Sequence, residues 1–104
     1  MSVHYPAQVL RTKVYGWAIK MKVNPKDIRI QKMDGKWGSC TADGIVTFAD
    51  DLLDQPSDFQ DYVIVHELAH LKVKNHGKLF NSLVANYIQN AKDFENRVNN
   101  RALD

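Results

Sequence analysis

The residues Val65-His66-Glu67-Leu68-Ala69-His70, with His76 six positions further on, restrict what this chain can become more than any other stretch. On a helix, positions 66 and 70 lie four apart on one face, where two imidazoles can reach one metal ion. Glu67 then projects beside that ion rather than into its coordination shell, which is where a general base for an attacking water belongs. His76 supplies a third nitrogen. Three protein ligands leave one position of a tetrahedral site open, the feature that separates a catalytic centre from a structural one. All-nitrogen ligation beside a carboxylate base points to Zn2+ as cofactor. One histidine on an apolar helix is ordinarily a packing residue. Three of them each need polar partners, and a single cation satisfies all three at once.

The surrounding pattern is that of an α+β domain. Leu10, Val14, Trp17, Ala18 and Met21 follow the spacing of a buried helical stripe, beginning after Tyr5-Pro6 and ending at Asn24-Pro25. Ile28 to Met33 alternates apolar and polar residues as a half-buried strand does. Asp34-Gly35 and Asp43-Gly44 are turn signals that set off two more short strands, Lys36 to Cys40 and Ile45 to Phe48. Three strands joined by such turns predict a small, mainly antiparallel meander, and Asp50 to Leu53 fits one helical turn. The helix carrying the histidine pair starts at Pro56 or Ser57, with Ser57 and Gln60 matching a capping box, and runs to about Lys72. Asn75-His76-Gly77 interrupts it, glycine being the easiest residue to place at a bend. Phe80, Leu83, Val84, Tyr87, Ile88, Ala91, Phe94 and Val98 then predict one long C-terminal helix, followed by a polar tail that frays.

With 104 residues, 44% of them apolar, the chain has material for one core, so residues 1–104 read as one domain. A formal charge of +2 argues for neither nucleic acid nor a membrane surface, and Arg11, Lys13, Lys20, Lys22, Lys26 and Arg29 read as a solvated face. No secretory signal and no apolar run of membrane-spanning length stand out, which makes the cytoplasm the expected compartment. The lone Cys40 agrees, since it has no internal disulfide partner.

His-Glu-Leu-Ala-His, His76, Phe80 and the upstream Lys36-Trp37-Gly38-Ser39-Cys40 together resemble the YgjP-like zinc metallopeptidase family, itself related to SprT-like and other zincin peptidases. The motifs span about Ile28 to Phe80, and the flanking helices match by pattern. The resemblance implies a minimal zincin-like fold: a three-stranded sheet packed against an N-terminal helix, an active-site helix and a long C-terminal helix. It implies that His66, His70 and His76 bind zinc, that Glu67 is the catalytic acid/base, and that the substrate is a peptide or protein. The sequence departs from the family where an arginine before Trp-Gly-Ser-Cys is replaced by Lys36, and where an aromatic pair is reduced to Phe80-Asn81. Typical members are longer at the N-terminus, so the chain resembles their catalytic part.

Tyr62 lies one helical turn before His66, placed to donate a hydrogen bond to a developing oxyanion. Its alternative is a half-buried aromatic with a hydrated hydroxyl. Tyr87 belongs to the last helix's apolar stripe. Cys40 reads as a small strand residue rather than a nucleophile, Trp37 as core, and Gly38 and Ser39 as a place where the strand bends or another backbone comes close. A peptide would lie extended along a sheet edge, at Trp37 to Cys40 or at Ile45 to Phe48. Two other readings use the same metal. A nucleotide or phosphoanhydride hydrolase would need Lys72, Lys74 or Lys78 beside the ion to hold phosphates, whereas a zinc-stabilised binding module would have its fourth coordination position blocked.

Overall fold

The computed structural model describes residues 6–95 together with Arg101 and Leu103. Helix α1 spans Pro6–Met21, and its buried face is Leu10, Val14, Ala18 and Met21, the stripe read from the sequence. It ends in a left-handed Lys22 (φ 59°), with the Val23 amide reaching back to the Ala18 carbonyl. Three strands follow, β1 (Asp27–Gln31), β2 (Gly38–Cys40) and β3 (Ile45–Ala49), then a 3-10 turn over Asp50–Asp54. Helix α2 runs Ser57–Ala69, α3 Lys78–Tyr87 and α4 Ala91–Glu95.

The sheet is mixed, not a meander. Its order is β1-β3-β2, with β1 parallel and β2 antiparallel to the central β3. Burial explains the order. Val46, Thr47, Phe48 and Ala49 are all buried, as a strand covered on both faces requires, whereas β1 alternates exposed and covered residues as an edge does. Gly38-Ser39-Cys40 is too short and too polar to fill the centre. The β2–β3 turn is closed by the Thr41 hydroxyl, which bonds Asp43 and the Ile45 amide, and Gly44 takes the positive φ of 99° it needs. Because β3 is paired on both sides, it offers no open edge, and of the two stretches considered as one, β2 alone remains.

Helix α2 is the centre of the molecule. From Phe59 to Ala69 every residue except Asp61 is buried, the condition of a helix apolar all round. It packs on α1, β2, α3 and α4. The contact with α1 is pinned by polar groups. Lys13 reaches the Gln60 amide oxygen at 2.9 Å and Asp61 at 3.1 Å, and the Trp17 indole donates to Asp61 at 3.0 Å. Arg11 donates to the Ile28 carbonyl. Arg11 and Lys13 therefore tie elements together rather than merely solvating a face.

Other expectations are corrected. Ser57 is the first helical residue rather than the cap, because Pro56 occupies the N-cap and no side chain bonds there. Gln60 turns instead to the Leu53 and Gln55 carbonyls. The last helix is broken after Tyr87, where Ile88 is extended (φ −121°, ψ 103°), and the chain restarts at Ala91. A straight helix would carry Phe94 away from so small a core. The break returns it to stack on Tyr62 at 5.3 Å and pack against Phe59. Val98 lies outside the described residues. The tail does not fray at Arg101, whose guanidinium pairs with both oxygens of Asp51 (2.7 and 2.6 Å) and lies 4.2 Å from the Trp37 ring centre. No helix among the described residues is long and apolar enough to cross a membrane.

The guanidinium holds the Asp51 carboxyl below its ordinary value of 3.8. A depressed carboxylate pKa stabilises the fold above the unfolded value, and that contribution is lost as pH falls through the folded one. Arg101→Ala should lower stability in urea unfolding by roughly 1 kcal/mol near neutral pH, since the pair is half-exposed. The gap between parent and variant should narrow below about pH 4; a gap that widens in acid contradicts the pairing.

Candidate metal centre

The three histidines come from three kinds of backbone. His66 lies inside α2 and is buried, His70 is that helix's C-cap and half-buried, and His76 is exposed in the loop just before α3. The helix stops at Ala69, short of the predicted Lys72, and the turn at His70 to Val73 brings the chain back. Gly77 has an ordinary extended backbone (φ −146°) with open space around it, so the bend does not require its lack of a side chain.

One ring nitrogen from each histidine lies within 4.8 Å of the other two, and the Nε2 atoms of His70 and His76 are 3.0 Å apart. Metal–nitrogen bonds of about 2.0–2.1 Å at tetrahedral angles separate ligand nitrogens by about 3.3 Å, so the arrangement fits one ion with little adjustment. The His70 Nδ1 sits 3.3 Å from the Val73 carbonyl. Donation to that oxygen puts the proton on Nδ1 and turns the Nε2 lone pair toward the shared focus, where it would bind a cation. A borderline, all-imidazole donor set suits a late divalent transition metal.

Phe80 is the support whose role against the histidines sequence reasoning did not identify. Its ring centre is 4.8, 4.6 and 4.9 Å from those of His66, His70 and His76, so one buried aromatic backs all three imidazoles. In the sequence it stood in the α3 stripe and in the Phe80-Asn81 remnant of the family's aromatic pair, four residues after His76, with no sign that it backs the imidazoles.

Glu67 is fully buried beside the histidines. Gly38 of β2 lies against it: a Cβ at position 38 would stand 2.8 Å from the Glu67 Cγ and 3.2 Å from Oε2. Real Cβ atoms do not approach so closely. The close neighbour of the Trp-Gly-Ser-Cys segment is therefore this carboxylate side chain and not another backbone.

Two hollows flank the histidines. The larger, about 660 Å³, is lined by Cys40, Thr41, His70, His76 and the lysines Lys22, Lys72 and Lys74. Lys78 is not among its walls. The smaller, about 180 Å³, is lined by Tyr62, His66, His76, Phe80, Val84 and Glu95, with Asn81 and Ala91 completing it. Tyr62 is buried one turn from His66, their ring centres 6.0 Å apart, and burial, with the charges of Glu95 and Glu67, pushes its phenol up to about 12. It keeps its proton at neutral pH. Tyr87 instead packs edge-on against Trp17, away from the histidines, and Cys40 is a half-buried thiol whose Sγ lies 3.6 Å from the Thr41 carbonyl oxygen.

Residues 4–101 match the family description "YgjP-like, metallopeptidase domain". Among solved structures the fold is similar to the metallopeptidase zymogen abylysin of Pyrococcus abyssi, at 20% identity and a TM-score of 0.77, over 91% of this chain and 99% of that one. It is also similar to the metallopeptidase zymogen jannalysin of Methanocaldococcus jannaschii, at 24% identity and a TM-score of 0.74, over 86% and 92% of the two chains. No curated protein sequence matches significantly.

Native mass spectrometry of protein loaded with Zn2+, Co2+ or Ni2+ should find one ion per chain. His66→Ala or His76→Ala should lower affinity by a factor of about 10² or more, since each removes one of three ligands. Equal loading of both variants and the parent contradicts the three-histidine centre.

Proposed function

Because the chain belongs to the YgjP-like family of metallopeptidases, we propose that residues 1–104 act as one catalytic domain. It hydrolyses peptide bonds with Zn2+ held by His66, His70 and His76. The observation that carries this reading is the convergence of three imidazole nitrogens next to a fully buried glutamate. Zinc is preferred over other late metals because a redox-inert Lewis acid with an open position, held by three neutral imidazoles, suits carbonyl hydrolysis. When bound, the ion acidifies a water and polarises the scissile carbonyl.

The rest falls to the chain's own residues. Glu67 takes a proton from the attacking water as the oxygen–carbon bond forms, and delivers it to the leaving nitrogen as the carbon–nitrogen bond breaks. Its burial suits this task, because a group shielded from bulk water passes its proton to the leaving nitrogen without exchanging it with solvent. The backing of Phe80 and the Val73 carbonyl fix the imidazole planes, so little reorganisation accompanies the reaction. Tyr62 is the proposed donor to the developing oxyanion; what supports it is its place in the wall of the small hollow beside His66 and a phenol that stays protonated. A peptide or protein substrate in extended form fits along β2, whose outer side is not taken by β3. The lysines Lys22, Lys72 and Lys74 beside the larger hollow are the feature a phosphoanhydride hydrolase would share, but the family does not point that way.

In zinc-loaded protein, Glu67→Gln should retain the metal while turnover of a casein or quenched-peptide substrate falls by about 10² to 10⁴. Tyr62→Phe should lower kcat while KM holds. Unchanged hydrolysis by the glutamine variant rejects the assignment of Glu67.

Gly38→Ala should also keep zinc but lower kcat by an order of magnitude or so, because the new methyl displaces the Glu67 side chain. Loss of zinc in that variant, or a change in KM alone, shows that position 38 acts otherwise.

A further inference from the structure

The charges around the histidines are sorted by side. The larger hollow has Lys22, Lys72 and Lys74 in its walls, and the acid it contains, Asp43, already lies 3.6 Å from Lys26. The smaller hollow contains no lysine or arginine among the described residues and one acid, Glu95. Its floor is made of the buried residues Tyr62, Phe80 and Val84, and its rim of the exposed Asn81 and Glu95. Glu95 is held there by its neighbour Phe94, which is buried and stacked on Tyr62.

We propose that the hollow formed by Tyr62, Phe80, Val84 and Glu95 is a specificity pocket for the lysine or arginine side chain of a substrate residue adjoining the scissile bond. The proposal rests on the peptidase reading and adds the substrate class to it. At about 30 Å³ per water, a hollow of about 180 Å³ holds about six water-sized groups. That is the scale of the heavy atoms of a lysine or arginine side chain beyond its Cα. The apolar floor receives the methylenes and the rim carboxylate receives the cationic head, the arrangement in which long basic side chains bury their stems and keep their ends near water. A carboxylate-bearing side chain would meet Glu95 at the rim. In the larger hollow, beside His70 and His76, the three lysines repel a basic side chain, so the charge pattern also fixes which way round the peptide lies.

The test uses the zinc-loaded full chain and a mixed peptide library whose cleavage sites are read by mass spectrometry. Lysine or arginine should be enriched at one position next to the cut. At that position lysine should exceed norleucine, its uncharged near-isostere, by about fivefold in kcat/KM, the scale of a rim-exposed ion pair. Glu95→Gln should bring that ratio to about one, and Glu95→Lys should shift the preference to glutamate. Cleavage with no basic preference, or with a preference that both Glu95 variants leave unchanged, overturns the pocket while the peptidase reading stands. A second measurement separates the converse case. In zinc-loaded Glu67→Gln protein, an arginine-containing peptide should shift the Val84 and Ala91 methyl signals, and Glu95→Lys should abolish the shift. If the parent cleaves nothing but this Glu95-dependent binding is present, the peptidase reading fails and the pocket stands; if those methyls do not respond, the pocket is wrong.

Discussion

Convergence of His66, His70 and His76 is the constraint on which the rest of this structure depends. Three imidazoles pack against one phenylalanine, two edge to face and His70 tilted, and a nitrogen of each converges on one region. A cation at that shared focus would be bound by all three at once. It also links the end of α2 to the start of α3, closing a loop that otherwise holds its shape through short backbone bonds such as that from the Val73 amide to the Ala69 carbonyl. Rigid supports on both sides make the focus a defined point. His66 inherits the position of a helix buried all round, and Phe80 is the first buried residue of α3.

Glu67, the proposed general base, is placed by a different element. Glu67 leaves α2 on the side facing β2, and only a residue without a side chain lets the strand come so near. Helix and sheet edge thus meet at the carboxylate itself. The same three-residue strand proposed to pair with an extended peptide therefore also bounds Glu67 on its helix side. A substrate paired there would be fixed relative to Glu67 by one short piece of backbone, which would align the two proposed reacting groups through a single contact.

Much of this could be read from the residues. The α1 stripe, the buried α2 and the histidine set are local patterns, and local spacing determines which face of a helix a residue occupies. What stayed hidden depends on contacts distant in sequence. The Asp-Gly turns of the β segment describe chain reversals but not which strands pair, and the choice of Ile45–Ala49 as the centre is made by burial on two faces. The periodicity of Phe80 to Phe94 continues across Ile88 although the helix does not, because both a straight and a folded-back helix keep their apolar residues in register. Ser57 and Gln60 had the spacing of a capping box, but the demands of Lys13 and of two nearby carbonyls on Gln60 outweighed one cap. For Gly38 the sequence carried the signal of a close approach without its partner, since nothing in a local pattern names a side chain 29 positions away.

The C-terminal residue Arg101 completes the same chain of support from outside. Its guanidinium lies on Trp37, whose ring packs edge-on against Phe59 of α2 and whose carbonyl accepts the Ala49 amide of β3. Trp37 immediately precedes Gly38, so this aromatic anchors the start of β2 to both the helix and the central strand. The bidentate pair with Asp51 fixes the guanidinium, and a cation held over an indole face favours the ring orientation it covers. A residue 34 positions beyond Glu67 is in this way two contacts from the carboxylate. Loosening it would act first on Trp37 and so on the position of β2, whereas its path to the histidines runs on through Phe59 and along α2.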